Sequence, residues 1–213
     1  MTNKVTVVDY GVGNLFSVRG AVEHLEADVI MGSKSDDICE ADRLLLPGVG
    51  AFADAMDDMR QRGLIEPVLE FCKKGRPLLG ICLGMQMLFE RSEEFGNHEG
   101  IGLVEGAVVA IPDTGSDGSK HRIPHVGWNE LVKSEGANWR GSILNGIDEM
   151  SSMYFVHSFM ASPSDASHCL AECHYNGRAI SAVIQKDNIM GCQFHPEKSA
   201  EPGLMIVKEF LSL

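Results

Sequence analysis

An apolar run, Leu78-Leu79, passes through Gly80-Ile81-Cys82-Leu83-Gly84 straight into an apolar-periodic segment at residues 85–89. A chain that reads strand, tight turn and helix in so short a span has few folds open to it. The strand must be buried on both faces, and its end must lie at a sheet edge where a helix starts at once. The same alternation recurs upstream. Residues 4–9 read as a buried strand, Asn14 as a helix N-cap, and Leu15, Val18, Val22 and Leu25 as a helical stripe. Residues 29–31 and 43–46 read as strands, the second ending at the Pro47-Gly48 turn. Residues 52–60 and 64–73 read as helices joined around Gly63. This order predicts a mostly parallel central sheet flanked by helices. After residue 105 the pattern changes to strands, at 105–111, 128–132, 153–159, 169–175, 180–185 and 189–194, with a polar loop at 113–119 and a closing helix at 203–211. No linker divides the chain, so residues 1–213 are expected to form one α/β domain whose strand-rich C-terminal half extends the sheet.

The glycines around Cys82 are placed as in the Gly-x-Ser-x-Gly nucleophile elbow, with sulfur in place of oxygen. A thiol there is expected to be exposed at the strand's end and to sit at a helix N-terminus, which favours the thiolate. A lone cysteine is otherwise most often a buried, inert side chain. A nucleophile needs a base, and the base needs an orienting group. Both stand in Gly191-Cys192-Gln193-Phe194-His195-Pro196-Glu197-Lys198-Ser199. Pro196 ends the preceding strand, and Glu197, two residues beyond His195, is close enough to hold its imidazole. Taken alone, His-Pro-Glu reads equally well as a surface turn. Paired with the elbow, it gives the order Cys82, His195, Glu197 of a catalytic triad built on a thiol.

Charge narrows the function. The net charge is −12, which argues against nucleic acid and anionic membrane surfaces as partners, because both need a basic footprint. No apolar stretch reaches the ~18 residues of a membrane span, and the N-terminus has no signal-peptide pattern, so a cytoplasmic protein is expected. The six cysteines contain no Cys-x-x-Cys pair and read as reduced thiols. Cys169 and Cys173 lie on one face of an expected strand and His168 and His174 on the other, a poor metal set, so no metal is expected. Gly11-Val12-Gly13-Asn14 lacks the third glycine of a dinucleotide fingerprint, since Phe16 stands in its place. It reads instead as a tight loop at the sheet's C-terminal edge.

Gly-x-Cys-x-Gly with a downstream Gln-Phe-His-Pro-Glu resembles the signature pair of the class I (triad) glutamine amidotransferases. Asp9-Tyr10-Gly11-Val12-Gly13-Asn14, Leu46-Pro47-Gly48-Val49-Gly50-Ala51-Phe52, Pro124-His125-Val126-Gly127-Trp128-Asn129 and Tyr154-Phe155-Val156-His157-Ser158-Phe159 extend the likeness over nearly the whole chain. They resemble the glutaminase subunits of imidazole glycerol phosphate synthases. That resemblance implies the amidotransferase fold, no cofactor, hydrolysis of L-glutamine, and transfer of ammonia to a (β/α)8-barrel cyclase subunit in a heterodimer. It assigns Cys82, His195 and Glu197 to catalysis. It assigns the oxyanion donors to Leu83 and to the Val49 and Gly50 loop, which in this family reorients before its donor points correctly. It makes Gly48, Gln86, Glu94, His157 and Ser158 contacts for glutamine. It places Val12, Asn14, Trp128, Asn129, Tyr154 and Lys198 at the partner interface. By composition alone, Trp128 and His157 read equally as core residues.

The chain departs from that pattern at Phe159 (usually Tyr), Val126 (usually Met), Val12 (usually Pro) and in a long loop at 113–120. These positions leave a second partner open, a sugar amidotransferase synthase subunit of surface-polysaccharide synthesis. A regulatory subunit without turnover is a further alternative, which the intact triad disfavours.

Overall fold

The computed structural model describes residues 4–11 and 13–213. The first half alternates as the sequence predicts, with one short helix, Ser35–Cys39, that was not foreseen. Strand β1 (Lys4–Val8) is followed by α1 (Leu15–His24), β2 (Asp28–Gly32), α2 (Ser35–Cys39), β3 (Leu44–Gly48), α3 (Phe52–Gln61), α4 (Ile65–Lys73), β4 (Leu78–Cys82) and α5 (Leu83–Met87). Then come β5 (Phe89–Ser92), β6 (His98–Glu99), β7 (Val104–Ala110), β8 (His125–Glu130), β9 (Val132–Lys133), β10 (Ser152–His157) and β11 (Phe159–Pro163). Strands β12 (Cys169–Tyr175), β13 (Arg178–Lys186) and β14 (Ile189–Cys192) precede the closing helix α6 (Ala200–Ser212).

The central sheet has 8 strands in the order β2-β1-β3-β4-β14-β13-β12-β9. Pairing is parallel from β2 to β14 and antiparallel beyond it. Its inner strands β1, β3, β4 and β14 are buried on both faces, so consecutive residues enter opposite cores. Val5, Val7, Leu45 and Leu79 pack toward α1 and α6, with Val18, Val22, Ile206 and Phe210. Val8, Leu44, Leu46 and Leu78 pack on the other side, with Ile38, Met56, Val68 and Phe71 of α2, α3 and α4. Each such leucine is fully buried, worth about 1.5–3 kcal/mol in transfer alone.

The second half corrects the expected topology. Only β14, β13, β12 and β9 extend the central sheet; β11-β7-β5-β6 form a separate 4-stranded sheet and β10-β8 a 2-stranded ribbon. The single strand expected at 153–159 is two, because the chain turns a corner at Ser158: β10 pairs with β8 and β11 with β7. The strand expected at 128–132 is likewise divided, by the fully buried Leu131. The elbow helix ends at Met87, and Phe89 starts a strand. Asn14 occupies the N-cap position of α1, but its side chain accepts from the Ser17 hydroxyl at 2.8 Å and caps no backbone N–H.

Candidate active site

The parallel strands β3, β4 and β14 lie side by side, with Gly48 paired to Cys82 and Cys192 to Ile81. Their C-terminal ends therefore bring together the loop after β3, the cysteine and the segment leading to His195. This is the edge where open α/β sheets place ligands. The chain reverses so sharply after β4 that Cys82 takes φ +55° and ψ −112°, a left-handed conformation that side chains other than glycine rarely adopt. Strain of this kind persists only when the surroundings over-determine it. Here Gly84 does so: a Cβ at Gly84 would lie 1.8 Å from the Leu46 carbonyl oxygen. Only glycine lets α5 start directly against β3.

A cleft of about 400 Å³ opens at this edge, at the small end of small-molecule sites. Cys82, Leu83, Gln86, Glu94, His157, Ser158, His195, Val49 and Gly50 all line it. Pro124, Val156 and Phe159 line it too and were not foreseen. Cys82 is only 7% exposed, so the thiol is reached through the cleft and is not exposed at the strand end as expected. Gly48 is placed differently from the expectation. It does not line the cleft; a Cβ there would meet Gly84 N, the Tyr10 hydroxyl and Leu83 Cβ at 2.8–2.9 Å. Its part is to let β3 and α5 approach. Tyr10 donates to the Pro47 carbonyl at 2.9 Å beneath this loop, and burial and the neighbouring Cys82 hold its phenol well above its usual range.

His195 follows β14, at the start of a short 3-10 turn, Pro196–Lys198. Its backbone N–H donates to the Tyr154 carbonyl at 3.0 Å, while Ser199 Oγ donates to the His195 carbonyl at 2.7 Å and accepts from Tyr154 N at 3.0 Å. The turn is thus stitched to β10. Glu197 Oε1 lies 2.8 Å from His195 Nδ1, with the two side chains 1% and 3% exposed. Burial alone pushes the imidazolium down. Hydrogen bonds to Cys82 and Glu197, and the charges those groups carry, outweigh it and raise His195 to about 9. A basic imidazole held on one nitrogen by a carboxylate and facing a thiol on the other side is suited to move a proton to and from that sulfur.

The residues around the thiol are already bonded to one another. Gln86 Nε2 donates to the Phe159 carbonyl at 3.0 Å and to Gln193 Oε1 at 2.9 Å, so only Gln86 Oε1 is left for a ligand. Gln193, fully buried, directs Nε2 at Cys82 Sγ from 3.8 Å. Glu94 accepts from Phe52 N–H at 2.7 Å, which fixes its carboxylate at the head of α3. His157 is 6% exposed, with Nδ1 2.8 Å from the Phe159 carbonyl and Nε2 3.0 Å from His125 Nδ1. Burial holds His157 at about 3 and His125 at about 4, so both rings are neutral.

The ribbon carries several of the expected interface residues. Direct cross-strand pairs are Val126↔Val156 and Trp128↔Tyr154, the rings of the latter pair 5.9 Å apart. Trp128 is 55% exposed, which removes the core alternative for that residue. Asn129 is half-buried and bonds to the His174 carbonyl and to His125 Nε2. Lys198 is exposed, Asn14 is half-buried, and Val12 lies outside the described residues.

Fold and site together set a cysteine on a strand–helix elbow of an α/β fold, sharing one cleft with a histidine that a carboxylate holds. The Glutamine amidotransferase class-I family model matches residues 6–212, and the chain belongs to that family. It is 54% identical over 212 residues to "Imidazole glycerol phosphate synthase subunit HisH 1" of Legionella pneumophila (strain Lens), covering 99% of this chain and 100% of that protein. It is 44% identical over 207 residues to "Imidazole glycerol phosphate synthase subunit HisH" of Syntrophotalea carbinolica, covering 97% and 98%. Among solved structures, "Structure of PurLQS from Thermotoga maritima" superposes with a TM-score of 0.72 at 18% identity, covering 100% of this chain and 99% of that one. That likeness bears on the fold alone.

Proposed function

We propose that this chain is the glutaminase subunit of an imidazole glycerol phosphate synthase, one amidotransferase domain over residues 1–213. It hydrolyses L-glutamine and passes the ammonia to a cyclase subunit in histidine biosynthesis. The observation that carries the chemistry is the convergence of the strained Cys82 and the Glu197-held His195 on one small cleft. The carboxamide carbon of glutamine is attacked by Cys82 Sγ, whose proton passes to His195. Leu83 N–H, at the start of α5, and an N–H from the Val49–Gly50 loop receive the developing oxyanion. The carbon–nitrogen bond then breaks, and His195 returns its proton to the departing nitrogen, giving ammonia and a γ-glutamyl thioester. Water gives a proton to His195, attacks the thioester and releases glutamate with the thiol restored.

Glu94 is assigned to the substrate's ammonium group, and Gln86 Oε1 and Ser158 to positions along its chain. His157 acts through its backbone, because both its ring nitrogens are already engaged. The partner is assigned to the face that carries Val126, Trp128, Tyr154 and Val156, with Asn14 and Lys198 beside it. An exposed tryptophan among exposed valines is characteristic of a docking centre. The names of the 54% and 44% identical relatives favour a synthase partner over a sugar amidotransferase. Six free cysteines favour a reducing, cytoplasmic setting. The test is glutamate release by this chain alone and titrated with the cyclase subunit. Saturable activation at a one-to-one ratio is expected. No activation, with Cys82 still labelled by a glutamine-mimicking electrophile, would point to another ammonia acceptor.

A further inference from the structure

The hydrogen bonds beneath the cleft join into one chain, and a single atom fixes its direction. The Phe159 carbonyl oxygen can only accept. It receives Nδ1–H of His157 at 2.8 Å and an N–H of Gln86 at 3.0 Å. On one side this leaves His157 Nε2 as an acceptor, so His125 Nδ1, 3.0 Å away, must carry a proton. His125 Nε2 is then an acceptor as well, matched by Asn129 Nδ2 at 3.3 Å. On the other side, the remaining N–H of Gln86 requires an oxygen, which is Gln193 Oε1 at 2.9 Å. The amide of Gln193 is thereby turned so that its NH2 group, and not its oxygen, faces Cys82 Sγ at 3.8 Å. Flipping any one member would set donor against donor or acceptor against acceptor in a buried site, at the cost of an unmet polar group.

We propose that Gln193 is a catalytic residue that donates a hydrogen bond to the Cys82 thiolate, and that Gln86, His157 and His125 are positioning residues that lock its amide in the donating orientation. A donor aimed at sulfur stabilises the charged form over the neutral one. Without the chain, the amide would be as free to present its oxygen, which would repel the thiolate. His125 and His157 are direct cross-strand neighbours on the inner side of the same ribbon whose outer side exposes Trp128 and Val126. The lock is therefore built into the ribbon itself.

The proposal rests on the glutaminase reading, but its test does not need turnover. Alkylation of Cys82 by iodoacetamide is followed against pH by mass spectrometry of the Cys82 peptide. The titratable groups around the sulfur are His195, Tyr10, His157 and, across the cleft, Glu94, and none is changed in the variants. Gln193→Leu and Gln193→Met both remove the donor and add no charge. In both, the alkylation midpoint is expected to rise by about one pH unit, which is about a tenfold loss of rate on the acid side of the midpoint. In the complex, kcat should fall by about the same factor, with KM within about twofold. His125→Leu should show part of this shift, and His125→Asn, whose amide can occupy the Nδ1 position, should restore it. An unmoved midpoint in whichever Gln193 variant folds, as judged by circular dichroism, overturns the proposal. Failure of the glutaminase reading would appear separately, as no glutamate release by the unaltered chain.

Discussion

Replacing Glu197 by Gln keeps the shape of the group beside His195 and removes its charge. Both side chains are almost fully buried at 2.8 Å separation, so salt and water screen the pair little. A hydrogen bond to a charged group contributes about 1.5–3 kcal/mol. At about 1.36 kcal/mol per pH unit, the substitution should bring His195 down from about 9 to between about 7 and 8. The imidazolium formed when Cys82 is deprotonated loses the same stabilisation, so kcat for glutamate release in the complex should fall by about 10- to 100-fold. KM should change little, because Glu197 does not line the cleft. The assay is glutamate release from pH 6 to 10, with the His195 titration followed by NMR of the labelled imidazole. A His195 pKa that stays near 9 in Glu197→Gln, with kcat unchanged, would refute the reasoning that the carboxylate holds the imidazolium.

Stability should fall on both sides of pH 6.5 for opposite reasons. His195, raised from 6.5 to about 9, contributes fully below 6.5 and loses its contribution as pH rises through 9, an effect of about 3 kcal/mol. His125, lowered from 6.5 to about 4, contributes fully above 6.5 and loses about 3 kcal/mol as pH falls through 4, so His125→Phe should remove part of the acid limb in urea titrations, the rest coming from His157 at about 3. Gly84→Ala should be among the most damaging single substitutions, costing on the order of 4 kcal/mol, because its Cβ would lie 1.8 Å from the Leu46 carbonyl; thermal unfolding reads it directly. Trp128→Ala should leave unfolding unchanged, since the ring is 55% exposed, yet weaken cyclase binding by about 30-fold or more, as measured by titration calorimetry.

Most of the α/β half of the fold was legible because its strands are short apolar runs, most of them closed by glycine or proline, and its longer helices show a stripe; the five-residue α2, in which Ile38 alone is buried, shows none. The corner at Ser158 was not. Alternation continues across it without a break: Met153, Phe155 and His157 face inward, and Phe159 resumes on a different sheet. A period of two carries no information about which strand a segment will pair with. The convergence of Cys82, His195 and Glu197 was legible from two motifs, since the elbow needs glycines at fixed places and Glu197 is tied to His195 by a two-residue turn. The packing role of Gly48 between β3 and α5 was not legible, because a glycine that lets a backbone approach a ligand and one that lets two elements approach each other look the same in sequence. Gln193 and His125 were quoted within motifs but given no role. His125 and Asn129 share a face with Gly127 by alternation, opposite Val126 and Trp128, and that was the available signal for a buried histidine. Nothing local in the sequence indicates that its partner is His157, 32 residues away.

The central claim is that Cys82 alone attacks glutamine. Burial raises the thiols of Cys72 and Cys173 to about 12 and pushes Cys169 and Cys192 up as well, so these buried cysteines should be inert. The most direct measurement is to treat the complex with a glutamine-mimicking electrophile and locate the adduct by mass spectrometry. The account predicts a single adduct on Cys82, prevented by excess glutamine, and no glutamate release from Cys82→Ala. An adduct on another cysteine, or glutamate release that survives Cys82→Ala, would contradict it.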